Sequence, residues 1–213
     1  RQLLETSLRL NPYDAQADIE LGLQYEAGGD DGRAERQLLQ AYSIDHTYVP
    51  RWSLANFYFR TGNLPKFWFW AKSAAAMPSD DIGALLELCW RAVPDAGTIT
   101  GAILNAKPEF LRQYIRFLVA KDQLQAVAGI APYLVQAGDP QSDLPVMFTV
   151  VNSLIAAADS ADALAVWHLL VTRNWAVADA TIPTNASFFR IPLPVGFHWS
   201  LPEYRGLHSW PGP

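Results

Sequence analysis

The chain has 213 residues, half of them hydrophobic, and its 17% of charged residues lies below the roughly 25% usual in globular domains. The 12% aromatic content, with eight tryptophans, supplies large apolar side chains that require burial, which excludes disorder over most of the chain. The net charge of -5 argues against a nucleic-acid partner, because binding to phosphates depends on clustered cations. No apolar run approaches the ~20 residues that cross a bilayer, so we expect no membrane insertion.

A 33-residue repeat organises the first third of the chain. The aligned pairs are Leu21 with Leu54, Gly22 with Ala55, Tyr25 with Tyr58, Gly29 with Gly62 and Ala41 with Ala74. Apolar residues recur at helical spacing before and after each turn glycine, so each unit is predicted to be a pair of antiparallel helices. Small residues such as Gly22 stand where two helices must approach closely.

These residues resemble the tetratricopeptide repeat (TPR) family, whose unit carries Trp-x-x-Leu-Gly-x-x-Tyr, a turn glycine, Ala-x-x-x-Phe and a closing proline. The matching residues are Leu21, Gly22, Tyr25, Gly29, Ala34, Leu38 and Ala41, then Leu54, Ala55, Tyr58, Gly62, Ala74 and Pro78. Asp18 and Arg51 stand in the tryptophan place, and Phe67 replaces the small alanine of the second helix. The resemblance implies an array of helix-turn-helix units, clearest over residues 13–78. The bulk of Phe67 predicts that its helix is pushed outward or that the array closes there.

Helical periodicity continues after the repeat signature fades. The first predicted helix is capped by Asp80 or Asp81 and runs to about residue 92, and the others cover residues 94–104, 107–118, 124–136, 144–157 and 161–172. Two later stretches, around Asp122 and Asp159, match at an offset of 37 and are expected to be further hairpins. We therefore expect an all-α fold, an α-solenoid of antiparallel helical hairpins over residues 1–176. Residues 1–10 resemble the second helix of a preceding unit, and with Arg1 in place of a methionine they indicate a piece of a longer protein.

Residues 177–213 have a different composition, in which prolines are frequent and helical spacing vanishes. The pattern predicts a proline-rich segment with one or two short strands. The stretch from Asn185 to Trp199 also resembles the opening of a bacterial carbohydrate-binding-type jelly roll, with Phe189 and His198 in place of acidic residues. That resemblance implies a glycan-binding domain whose remainder lies outside this chain. It also implies a bacterial periplasm or cell envelope location; the alternative is the cytoplasm.

No motif indicates an enzyme or a cofactor site. The sequence has no glycine-rich phosphate loop, no Gly-x-Ser-x-Gly elbow and no His-Glu-x-x-His. The four histidines are too scattered to build a metal site on one helix. The single Cys89 excludes an internal disulfide and is expected to be a buried thiol. We therefore expect a noncatalytic protein without cofactor or metal.

The first helices of such hairpins line a groove, and the second repeat places aromatic and polar side chains there. Spacing assigns to this face Leu23, Glu26, Trp52, Asn56, Phe59 and Arg60. Asn56 matches the place where peptide-binding members of the family often carry an asparagine for the ligand backbone, whereas Trp52 replaces their carboxylate-binding lysine. The alternative is that Trp52 and Phe59 pack inside the array.

The predicted function is a protein-interaction scaffold that captures a peptide or partner protein along this groove. Trp52 and Phe59 would be the anchors, Asn56 the backbone partner and Arg60 the charge selector. The alternative function is an envelope or exopolysaccharide-associated protein that binds glycan through an incomplete C-terminal domain.

A second candidate surface is the aromatic run from Phe67 to Trp70. Consecutive helical residues point about 100° apart, so at least one of the four rings must point away from the core. Trp68, Phe69 and Trp70 are therefore candidate interface residues. The alternative is that later helices or the C-terminal segment cover them.

Overall fold

The structure, a computed structural model, describes residues 1–77, 81–176 and 196–197. These residues form eleven helices and no strand, which confirms the all-α prediction. The helices are α1 (Gln2–Leu10), α2 (Ala15–Ala27), α3 (Asp31–Ile44), α4 (Tyr48–Arg60), α5 (Leu64–Ala75), α6 (Gly83–Ala92), α7 (Ala96–Ile103), α8 (Pro108–Ala120), α9 (Leu124–Ala137), α10 (Pro140–Ala156) and α11 (Ser160–Thr172). The predicted strands and the jelly-roll resemblance lie outside the described residues, apart from a turn at Gly196 and Phe197.

The chain divides into two compact units, residues 1–105 and 106–213. The first unit contains α1 to α7, and the second contains α8 to α11. Within each unit, helices that follow one another along the chain pack together, with α2 on α3, α4 on α5, α8 on α9 and α10 on α11 as the main pairs. This packing of neighbours is that of a helical-repeat-like fold. The predicted boundary after residue 176 stays a prediction.

The 33-residue repeat is visible in the two turns of the first unit. Gly29 and Gly62 both have positive φ, 79° and 71°, a conformation that costs glycine little because it has no Cβ. The next residues, Asp30 and Asn63, each donate a backbone N–H to the carbonyl five residues earlier, at 2.9 Å. Each of these two side chains then accepts the N–H three residues later and so begins the following helix.

A polar cluster also repeats where successive hairpins meet. In both copies a tyrosine hydroxyl donates to a carboxylate, at 3.1 and 2.6 Å, and a cation lies over the tyrosine ring, at 4.9 and 5.0 Å from its centre. The two clusters are Glu5, Tyr25 and Arg33, then Glu35, Tyr58 and Lys66. The carboxylates come from α1 and α3, so α1 holds α2 as α3 holds α4. That α1 is the second helix of a hairpin stays a prediction.

Two expectations about packing concern glycine and phenylalanine in the repeat. A Cβ added to Gly22 would lie 3.0 Å from Cγ of Leu38, so glycine permits the close approach of α2 and α3. Phe67 is fully buried on α5, and α6 and α7 both pack on that helix. The expectation that the array closes at Phe67 is therefore wrong, because α6 packs on both α4 and α5. An outward displacement of α5 stays a prediction.

The later hairpins differ from prediction in register. The turn residues with positive φ are Asp122 (57°) and Ala158 (61°), whereas Asp159 is the N-cap of α11. The predicted offset of 37 aligned Asp122 with Asp159. In the structure Asp122 corresponds to Ala158, so the repeat is one residue shorter than predicted. α10 also begins at Pro140 rather than at 144, because Asp139 caps it and proline suits the first turn.

Candidate functional site

The candidate site is built on α2 and α4 and is called here the first-helix face. Its predicted members are Leu23 and Glu26 on α2, and Trp52, Asn56, Phe59 and Arg60 on α4. The two helices are joined directly by an ion pair in which Arg60 Nε lies 2.5 Å from Glu26 Oε1, and Nη2 lies 2.7 Å from Oε2. Such a two-bond pairing fixes both side chains. The hydrogen bond to Glu26 also raises the pKa of Arg60.

Asn56 lies between Arg60 and Trp52 on the same side of α4, at spacings of four residues. Its Oδ1 accepts from Arg60 Nη1 at 3.4 Å, and its Nδ2 donates to the Trp52 carbonyl at 3.4 Å. Both bonds are longer than the usual 2.7–3.2 Å. A ligand amide can therefore replace them at small cost, which suits Asn56 to reading a peptide backbone.

The two predicted anchors are half-buried, so each ring packs on a neighbour and still presents part of its surface. The Trp52 ring stacks on Tyr48, with centres 6.4 Å apart and planes 9° apart. Phe59 tilts against Phe67 at 5.8 Å. Leu23 is 43% exposed and adds apolar surface beside Glu26 on α2. The first-helix face therefore offers stacking surface beside its ion pair.

Arg91 on α6 was not among the predicted site residues. Its guanidinium lies over the Phe59 ring, 5.2 Å from the ring centre, which extends the first-helix face from α4 to α6. No signal in the sequence indicated it, because one repeat before Arg91 stands Tyr58, a buried residue that is not on this face. The face thus carries two arginines, Arg60 and Arg91, and the carboxylate of Glu26.

The second candidate surface, the aromatic run on α5, is divided between core and solvent. Phe69 is 65% exposed, which confirms that at least one ring points away from the core. Trp68 is half-buried. Trp70 is 7% exposed and meets Tyr42 edge-on at 4.7 Å, so its ring leaves little surface for a partner. An interface at this run stays a prediction, and it depends on Phe69 and Trp68.

Asp18 occupies the place that the repeat motif gives to tryptophan, and it is buried on α2. Its Oδ2 accepts no hydrogen bond within the described part of the chain. Burial, with a further contribution from Asp14, raises the pKa of Asp18 from its ordinary 3.8 to about 6. The charged carboxylate therefore destabilises the fold at neutral pH.

We expect the substitution Asp18→Asn to stabilise the chain at pH 7 by roughly 1–3 kcal/mol. The folded chain holds the Asp18 proton more tightly than the unfolded chain, so wild-type stability rises as the pH falls through about 6. The advantage of the variant should therefore shrink between pH 7 and pH ~4. Urea unfolding at several pH values measures this difference. A variant whose advantage is independent of pH would contradict the assignment.

The other side chains that could act as a nucleophile or as metal ligands do not form a catalytic or metal site in the described residues. Cys89 is fully buried, and burial raises the pKa of its thiol to about 12, as expected for a packed rather than a reactive cysteine. Within residues 1–77 and 81–176, no three His, Cys, Asp or Glu side chains gather as metal ligands. No helix in this part of the chain is long and apolar enough to cross a membrane.

No protein-family model matches the chain, and no curated protein matches it. The structure by itself shows a helical-repeat-like fold in which neighbouring helices pack, with an ion-paired, partly apolar face on its first helices.

Proposed function

We propose that this chain is a TPR-like scaffold that captures an extended, acidic peptide segment along the first-helix face. The observation that supports this most is the bond series from Glu26 through Arg60 to Asn56, which crosses from α2 to α4 beside two partly exposed rings. Backbone-reading amides, apolar anchors and a charge selector are the groups that peptide-binding grooves combine.

The ion pair refines the role of Arg60. Its guanidinium is already held by Glu26, so an acidic side chain of the ligand must compete with Glu26 for it. Arg91 lies over Phe59 and provides a second cation for the same ligand. The ligand is therefore expected to carry carboxylates spaced to reach both arginines, with an apolar residue between them. Asn56 would exchange its long bonds for the ligand backbone.

A random peptide library displayed on phage and panned on the chain tests this proposal. We expect the enriched peptides to combine acidic with aromatic or aliphatic residues. Their affinity should fall about tenfold or more for Asn56→Ala and for Arg60→Ala, with the helical CD signal unchanged. Glu26→Gln should raise affinity, because it removes the internal competitor of the ligand carboxylate.

Arg36→Ala is the matched control, since Arg36 is an exposed arginine on α3, away from this face. It should leave affinity unchanged. Equal binding by wild type, Asn56→Ala and Arg60→Ala would contradict the assignment of the groove. Failure of the library to yield any saturable ligand would contradict peptide capture itself.

A further inference from the structure

The turn at Gly196 and Phe197 packs on α10 and α11, two helices that lie well before it in the sequence. The backbone N–H of Gly196 donates to Oδ1 of Asn152 on α10 at 2.7 Å. The ring of Phe197 meets Trp167 of α11 at 6.1 Å between centres, with planes 67° apart. One polar and one aromatic contact therefore hold two successive residues.

The position of Gly196 accepts only glycine, for two independent reasons. Its φ is +60°, a conformation that side chains with a Cβ rarely adopt. A Cβ built on Gly196 would also overlap the six-membered ring of Trp167. Trp167 is 2% exposed in the folded chain, and its ring stacks on Phe148, so it is closely surrounded. The ring thus discriminates glycine from every larger residue by direct contact.

The two recognising side chains lie on α10 and α11. Phe148 stacks on Trp167, with centres 6.2 Å and planes 29° apart, and fixes the ring that receives Phe197. Asn152 follows Phe148 by one helical turn on α10, so the amide and the aromatic pair lie side by side. The helices therefore present a hydrogen-bond acceptor beside an aromatic platform.

A surface cavity of about 430 Å³ adjoins this contact and shares Phe148 and Asn152 with it. The other described residues that line it are Pro140, Gln141, Leu144, Pro145 and Thr149. Four of the seven described lining residues are apolar and three are polar, so the cavity suits a bound segment of mixed character. The cavity therefore extends the binding surface beyond the part that Gly196 and Phe197 contact.

We propose that Phe148, Asn152 and Trp167 form a peptide-recognition site for a glycine followed by an aromatic residue, occupied in this chain by its own Gly196 and Phe197. The Asn152 amide reads the backbone N–H, the Trp167 ring excludes any side chain at the first position, and its edge-to-face contact selects an aromatic second residue. The site is distinct from the first-helix face, which belongs to the first unit.

Amide hydrogen exchange and a synthetic peptide test this proposal on the full chain. In the wild type, exchange of the Gly196 amide should be slow, and Asn152→Ala should accelerate it about tenfold or more. The probe is a peptide with the sequence of residues 192–199. It should bind the Gly196→Ala chain, whose own turn no longer fits, about tenfold or more tightly than it binds the wild type.

Gly129→Ala is the matched control, because a Cβ at this α9 glycine meets nothing within 4 Å. It should behave as wild type in both measurements, and Phe197→Ala should behave as Gly196→Ala. Rapid Gly196 exchange in the wild type, or equal peptide binding by wild type and Gly196→Ala, would overturn the proposal. A wild-type dimer that dissociates on Gly196→Ala substitution would overturn occupation within one chain and assign the turn to a second copy.

Discussion

Replacing Arg112 with alanine should destabilise the protein by about 3–5 kcal/mol, although the side chain of Arg112 is only partly buried. Its Nε lies 2.5 Å from Oδ1 of Asp143, whose side chain is fully buried on α10. The other oxygen of Asp143 accepts the backbone N–H of Asp139 at 2.9 Å. Removal of Arg112 leaves a buried carboxylate without its counter-charge, which is among the costliest single changes in a fold.

Removing the other partner of the ion pair, Asp143, should lower the free energy of unfolding by less. Asp143→Ala removes the buried charge itself, and Arg112, whose side chain is 25% exposed, can turn to solvent. We expect a loss of about 1–2 kcal/mol, mainly from the hydrogen bonds. Arg116→Ala is the control on the same helix, since Arg116 is exposed and forms no ion pair within the described residues. It should cost under about 0.5 kcal/mol.

Urea unfolding followed by far-UV CD measures all three variants against the wild type. The informative result is the order of the effects, because it depends on burial and not on the pair interaction alone. If Asp143→Ala lowers the free energy of unfolding as much as Arg112→Ala, or more, the ion pair and not the unpaired buried charge decides the loss of stability.

Replacing Phe67 with alanine is the second change with a large expected effect, a loss of about 3–5 kcal/mol. The resemblance to helical repeats places a small alanine here, so reasoning from the motif alone predicts a neutral or stabilising change. The structure predicts the opposite, because the fully buried ring packs on Phe59 and its removal leaves a cavity. Phe59 would also lose its support, so peptide binding at the first-helix face should weaken.

Phe69→Ala is the matched control, on the same helix but with a side chain that is 65% exposed. It should change the free energy of unfolding by under about 0.5 kcal/mol. Thermal and urea unfolding of both variants provide the comparison. A Phe67→Ala chain as stable as the wild type would mean that the hairpin closes around the smaller residue as the motif implies.

Local signals predicted the hairpins, because a turn glycine and the N-cap after it act within one helical turn. Gly29 and Gly62 therefore marked the ends of α2 and α4 correctly. The later hairpins lack the glycine, and their register was predicted one residue wrong. Whether Phe67 would fit was not predictable, since the answer depends on the volume left by residues of other helices.

In the candidate site, too, local relations were predicted and contacts between distant residues were not. Spacing along α4 identified Trp52, Asn56 and Arg60 as one side of a helix, since that relation is local. Contacts between distant residues were missed. Arg91 over Phe59, and Gly196 on Asn152, each join parts of the chain that no short pattern relates.

The most direct test of peptide capture is a map of backbone amide chemical shifts on adding a peptide selected on the wild-type chain. We predict that the shifts concentrate on α2, α4 and α6, with the largest near Leu23, Asn56 and Phe59. Shifts confined to α3 and α5 around Phe69, with α2 and α4 unchanged, would contradict capture by the first-helix face.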